Sequence, residues 1–243
     1  MTLVPADYET HTREAINHYW HTLRSQSTRQ QNRDADRGNR TAVTGGKQMD
    51  GFCELIRWIV AQNGMPDASI HTQSQLELPG YFRPTKRWDL LVVHGGKLVA
   101  AVEFKSQAGP SFGNNYNNRT EEAIGTAADL WTAFREGAFG KGHPRPWLGW
   151  LMLLEDCEGS TRPLKKPDEP HFPVLPEFRE ASYEKRYEIL LSKLVLEKFF
   201  DGTALILSQQ SPQGITYRES NLLGLKLFLA SLAGHVQVCL SLG

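Results

Sequence analysis

The chain is short of three things. Only three of its 243 residues are cysteine, Cys53, Cys157 and Cys239, far apart and without a CxxC pair. An odd, scattered set excludes a disulfide framework, suggests no zinc knuckle and fits a reducing intracellular home. There is no excess of either charge, since 27 Lys and Arg face 27 Asp and Glu. No global field then draws the protein to nucleic acid or membrane, and any anionic partner must be held by a local patch. Long apolar runs are also missing. The most apolar stretch, residues 222–242, is broken by Lys226, Ser231, His235, Gln237 and Ser241, so a buried helix followed by a short strand is expected there, not a membrane span. The first twenty residues carry acids and no apolar run; no secretory signal is expected, and the expected location is cytoplasmic.

What is present suffices for a core. The apolar share is 40%, with six Trp and eleven Phe, beside a charged share of 22%. These proportions are those of a globular protein, not of a disordered or fibrous chain. The length suits one large domain, or one domain with extensions; the expected division is residues 47–243 as the main domain and residues 1–46 as a helix and polar arm.

Periodicity orders the chain. Residues 8–25 read as an accessory helix with Ile16, Tyr19, Trp20 and Leu23 on one face. Residues 26–46 hold almost nothing apolar but carry Arg29, Arg33, Arg37 and Arg40, which reads as a linker or as an arm that orders on a partner. KQMDGFCELIRWIVAQ, residues 47–62, resumes helical spacing and sets Asp50 and Glu54 on one face. The apolar runs WDLLVV and LVAAVEF, joined by His94-Gly95-Gly96-Lys97, form a hairpin signal. Asn118 followed by Glu121 resembles a capping box opening a helix to about residue 136, and a strand at residues 147–154 completes a crossover unit. A helix at 183–200, a strand at 203–208 and a helix at 221–232 follow. The fold class is α/β, a mixed β-sheet flanked by helices, with an N-terminal helical extension and polar arm.

Three polar residues interrupt the most apolar hairpin: Asp89 near the start of its first strand, Glu103 and Lys105 at the end of its second. Two half-buried carboxylates repel unless a cation lies between them, and a divalent metal is the usual solution. Asp89 and Glu103 are therefore the candidate ligands of one or two Mg²⁺ ions, which activate a water and offset charge on a phosphodiester. Lys105 positions or deprotonates that water, or stabilises the phosphorane. The plain alternative is a surface ion pair at a strand end. Alternation of side chains supplies a test of register. Opposing Val93 to Leu98 with no irregularity turns Asp89 away from Glu103. An odd loop or a bulge between Val93 and Leu98 restores the common face, with Asp89 opposite Ala101, and Gly95-Gly96 offers the positive φ such a device needs. Asp50 or Glu54 are possible auxiliary carboxylates, with solvent exposure or capping as the competing reading.

RPTKRWDLLVV, LVAAVEFKSQAGPSFGNNYNNRTEEAIGTAADLWTAFREG and HFPVLPEF are similar to the type II restriction endonucleases typified by XhoI, within the PD-(D/E)xK nuclease superfamily. The resemblance spans most of residues 45–194. It maps the superfamily's catalytic pattern onto Asp89, Glu103 and Lys105, although residues 85–88 separate Pro84 from Asp89, so the literal Pro-Asp pair is absent. It implies a restriction-endonuclease-like sheet and a homodimer that recognises the palindrome CTCGAG in double-stranded DNA. It also implies Mg²⁺-dependent cutting that leaves 5′ overhangs, and a cognate methyltransferase that protects host DNA.

Charge along the chain points to candidate DNA-facing residues independently of the resemblance. Residues 81–119 carry six basic residues, Arg83, Lys86, Arg87, Lys97, Lys105 and Arg119, against Asp89 and Glu103, a local net of plus four. That reads as a phosphate footprint. GPSFGNNYNNR, residues 109–119, reads as a loop overhanging the DNA groove, with Asn114, Asn115, Asn117, Asn118 and Arg119 as base-reading or backbone-positioning groups; ordinary turn and cap chemistry is the alternative. Two further functions compete with a site-specific nuclease: a nonspecific or structure-specific nuclease of the same fold, and a catalytically silent DNA-binding module.

Overall fold

The computed structural model describes residues 3–34, 47–165, 168–169 and 171–242. Its centre is a six-stranded mixed sheet in the order β1-β4-β5-β6-β7-β8. The strands are β1 (Ile70–His71), β4 (Leu90–His94), β5 (Lys97–Gln107), β6 (Trp147–Glu155), β7 (Gly202–Ser211) and β8 (Gly214–Glu219). A separate two-stranded ladder pairs β2 (Glu77–Pro79) with β3 (Thr85–Arg87). One face of the sheet carries α1 (Tyr8–Asp34), α2 (Asp50–Gln62) and α6 (Leu225–Ser241); the other carries α3 (Phe112–Arg135) and α5 (Tyr183–Leu196). A single turn, α4 (Glu158–Thr161), follows β6.

The central strands explain their own sequences. Leu98 to Phe104 and Trp147 to Leu154 are buried without a break, because a strand covered by helices on both faces needs apolar residues at every position. β5, α3 and β6 form the expected crossover, with Glu103 beside Trp150 in a parallel ladder. The edge strand β8 escapes sequence reading because its alternation is shallow: its residues are at best half-buried.

Several boundaries differ from the sequence reading. α1 does not stop near Ser25 but continues to Asp34, since Gln and Arg extend an established helix at little cost. Residues 35–46, with Arg37 and Arg40, lie outside the described residues. Nor is α1 accessory. Ala15, Ile16, Tyr19 and Trp20 are buried in the same core as α2 and α6, and the Trp20 indole donates to Ser208 Oγ at 2.9 Å, tying α1 to β7. Trp20→Ala is expected to cost about 3–5 kcal/mol; urea unfolding showing a loss under about 1 kcal/mol would mark the helix as peripheral. At the other end there is no short strand. Phe228, Leu229, Leu232, Ala233 and Val236 keep a helical stripe buried on the sheet. Among the described residues no helix is long and apolar enough to cross a membrane.

The largest correction concerns residues 109–119. Only Gly109, Pro110 and Ser111 form a connection; α3 begins at Phe112, six residues before the expected cap at Asn118. Packing overrides the poor helix propensity of the Asn run. Phe112 stacks on Tyr183 at a centroid distance of 5.6 Å, and Tyr116, one turn later, meets Tyr187 edge-on at 5.2 Å.

Candidate active site

The β4–β5 hairpin sets the register. Gly95 and Gly96 both have positive φ, 57° and 74°, and form a two-residue turn between His94 and Lys97. Val93 does face Leu98, yet Val92 faces Ala100, which leaves Val99 as a bulge. The irregularity therefore lies one step inside β5, not within the turn. Leu90 then faces Val102, so Asp89 arrives beside Glu103 and Phe104, not opposite Ala101. Its Oδ2 accepts the Phe104 N–H at 2.8 Å.

Glu103 is 5% exposed. Its Oε1 accepts from Lys105 Nζ at 2.7 Å and its Oε2 from Lys86 Nζ at 2.8 Å. Lys86 also donates to the Arg87 carbonyl at 2.9 Å and lies 4.4 Å from the Trp88 ring centre, while Lys105 lies 5.5 Å from that of Trp150. Two indoles thus wall a small ionic cluster. Burial pushes the Asp89 carboxyl up to about 6, and the charge of Glu103 adds to the rise; the Phe104 N–H, Lys105 and Lys86 oppose it. On α3, Glu122 Oε2 accepts from Arg119 at 2.5 Å and lies 4.0 Å from Lys105 Nζ. The Tyr187 hydroxyl donates to the buried Gln107 Oε1 at 2.8 Å, fixing the end of the same strand.

The donor set fits a divalent cation. Glu103 is close enough to Asp89 to add to the rise of its carboxyl, and a metal between them would remove that repulsion. Among the described residues no group of three or more His, Cys, Asp or Glu gathers to hold a metal, so the site supplies two carboxylates. Asp50 and Glu54 are both exposed. Together with Asp89 they surround Cys53, whose thiol is pushed well up, first by burial and then by these three carboxylates.

The basic window is far less free than its sequence suggests. Arg83 pairs with Asp129, Lys86 and Lys105 with Glu103, Arg87 with Glu77, and Arg119 with Glu122. Acids from outside residues 81–119 neutralise much of the plus four. The Asn residues sit on the first two turns of α3. Asn114, Asn117 and Asn118 are exposed on one helical face, whereas Asn115 and Arg119 are half-buried. Sequence reading missed two parts of the cluster. Lys86 was legible only as a basic residue, although its neighbour Trp88 offers a ring for it. Glu122 carried the signal of standing three residues after Arg119 on one helix.

A mixed sheet flanked by helices, with an aspartate and a Glu-x-Lys side by side on its central hairpin, is the architecture of restriction-endonuclease-like nucleases. Comparison with known proteins makes the assignment particular: the model of the restriction endonuclease XhoI family matches residues 28–217. The chain belongs to that family. It is 53% identical over 208 residues to the type II restriction enzyme BstVI of Geobacillus stearothermophilus, covering 83% of this chain and 92% of that one. It is 51% identical over 201 residues to the type II restriction enzyme XhoI of Xanthomonas vasicola, covering 82% and 80%. Against AbrI of Azospirillum brasilense, also a type II restriction enzyme, it is 53% identical over 174 residues, covering 71% and 77%. No solved structure matches.

Proposed function

We propose that this protein is a type II restriction endonuclease that hydrolyses both strands of double-stranded DNA at the palindrome CTCGAG and leaves 5′ overhangs. It does so with Mg²⁺, as a cytoplasmic homodimer beside a methyltransferase that protects the same site. The observation that carries this reading is the buried Glu103 between Asp89 and Lys105 in a chain of the XhoI family.

Asp89 and Glu103 are the groups that would hold the metal. When bound, Mg²⁺ polarises the phosphate and lowers the pKa of an attacking water. The chain's own residues do the rest. The Phe104 N–H fixes the Asp89 carboxylate, and Lys105, anchored on Glu103, places a positive charge beside the reacting phosphate. Trp88 and Trp150 restrict water around both lysines. The exposed face of Asn114, Asn117 and Asn118 carries amides able to pair with base edges, and reading a palindrome favours two copies related by a two-fold axis.

The test is digestion of a fully sequenced, unmethylated DNA followed by sequencing of the fragment ends. Discrete cuts at CTCGAG with 5′ overhangs, only with Mg²⁺, are the expected result. Discrete cuts at another site would overturn the recognition sequence and keep the enzyme class. A smear would favour a nonspecific nuclease, and no cutting by folded protein would reject the nuclease reading.

A further inference from the structure

Two aromatic side chains stand in solvent on a loop built to hold them there. The β2–β3 connection, residues 80–84, exposes Phe82 by 74% and Tyr81 by 53%, their rings edge to face at 5.0 Å. Asp129 of α3, only 4% exposed, accepts the N–H of Tyr81 and of Phe82, each at 2.8 Å, and Arg83 Nε–H at 2.7 Å. Burial alone would raise the Asp129 carboxyl; the Phe82 N–H, the Arg83 guanidinium and the Tyr81 N–H together hold it below its ordinary value. Gly80 is needed for the fit, because a Cβ there would lie 2.6 Å from the Arg83 carbonyl and 2.7 Å from Asp129 Oδ2. A buried carboxylate satisfied by three donors of one loop makes a rigid tip.

The β2–β3 ladder that carries the tip also reaches the active site. Lys86, four residues after Phe82, bonds to Glu103. Asp129 lies two turns beyond Glu122 on α3, about 10 Å along the helix axis, the distance of roughly three base-pair rises. Arg83, next to the rings in sequence, is 43% exposed while its guanidinium holds Asp129. A duplex held with a phosphate at Lys105 and running along α3 comes to the tip, and this continuity of the β2–β3 ladder with Glu103 through Lys86 selects DNA over a second protein surface as the occupant.

We propose that Phe82, braced by Tyr81, inserts against a base step of the bound DNA a few base pairs from the cleaved phosphate and contributes to site selection. The inference rests on the nuclease reading above. Unstacking at that step admits the ring, and the sequence-dependent ease of unstacking gives discrimination without a hydrogen bond to a base.

The experiment uses duplexes containing the cleavage site with 2-aminopurine at each position of one half-site in turn, with Ca²⁺ replacing Mg²⁺. Wild-type protein is expected to raise the fluorescence at one step. Phe82→Ala should abolish that rise and weaken site binding about 10–100-fold, with melting temperature and non-site DNA binding unchanged; Phe82→Trp should restore both signals. Unchanged fluorescence and site affinity within twofold in Phe82→Ala would overturn the proposal. So would a change confined to sedimentation, which would make the tip a protein–protein contact. Wild-type protein that neither binds nor cuts DNA would instead remove the nuclease reading itself, and the inference with it.

Discussion

Glu103→Gln is expected to reduce the single-turnover rate of DNA cleavage about 10²–10³-fold, the scale of loss when one group stabilising charge in the transition state is removed. The side chain keeps its size but loses the negative charge that Lys86 and Lys105 share at 2.8 and 2.7 Å. Two ammonium groups would then face an amide with one acceptor oxygen, and a ligand for the metal would be lost with them. Removing one partner of a buried ion cluster also destabilises, by about 3–5 kcal/mol, so the melting temperature has to be measured alongside. Lys105→Met separates the two effects. Glu103 there retains Lys86 as its partner, so the fold should survive while cleavage falls comparably. Either variant cutting within tenfold of wild type would contradict the assigned roles.

Asp89→Asn should abolish cleavage and yet stabilise the metal-free protein. The Asp89 carboxyl in the fold is raised from its ordinary value of 3.8 to about 6, first by burial and then by Glu103. The folded state therefore binds a proton more tightly than the unfolded state. Stability from this group is gained as pH falls from about 6 towards about 4, and is lost as pH rises through about 6. At pH 7.5 the ionised group costs about 1–3 kcal/mol, which Asn removes while still accepting the Phe104 N–H. Thermal melts without divalent ions should place the Asn variant above wild type at pH 7.5 and level with it near pH 4. Mg²⁺ should then raise the melting temperature of wild type and leave the variant little changed, since a ligand stabilises only the state that binds it. A variant less stable at pH 7.5, or equal stabilisation of both proteins by Mg²⁺, would contradict the account.

The meeting of Asp89, Glu103 and Lys105 was legible because polar residues inside an apolar hairpin are conspicuous, and side-chain parity could be worked out from spacing alone. The need for an irregularity followed from that parity; its position did not. Val99, an ordinary apolar residue in an apolar strand, gives no local sign that it is the bulge. Lys86 was legible as a cation but not as the partner of Glu103, seventeen residues away, because β3 comes over β5 only through tertiary folding. The same limit governs the basic window. Asp129, Glu77 and Glu122 neutralise Arg83, Arg87 and Arg119 from outside it, so charge summed along the chain overstated charge in space. The start of α3 was misread since Asn favours caps and turns, whereas the ring contacts of Phe112 and Tyr116 with α5 decide the outcome. For α1, amphipathic spacing identified the buried face without revealing that α2, α6 and Ser208 lie beneath it.

The central claim, that Asp89 and Glu103 together form the metal-binding floor of a DNA-cutting site, is tested most directly by a crystal structure with duplex DNA and Mn²⁺, read by anomalous scattering. A peak is expected about 2.0–2.2 Å from an oxygen of each carboxylate, with a phosphate oxygen on the same ion and Lys105 beside it. Anomalous density only elsewhere, or a DNA backbone that passes the hairpin without approaching Glu103, would contradict it.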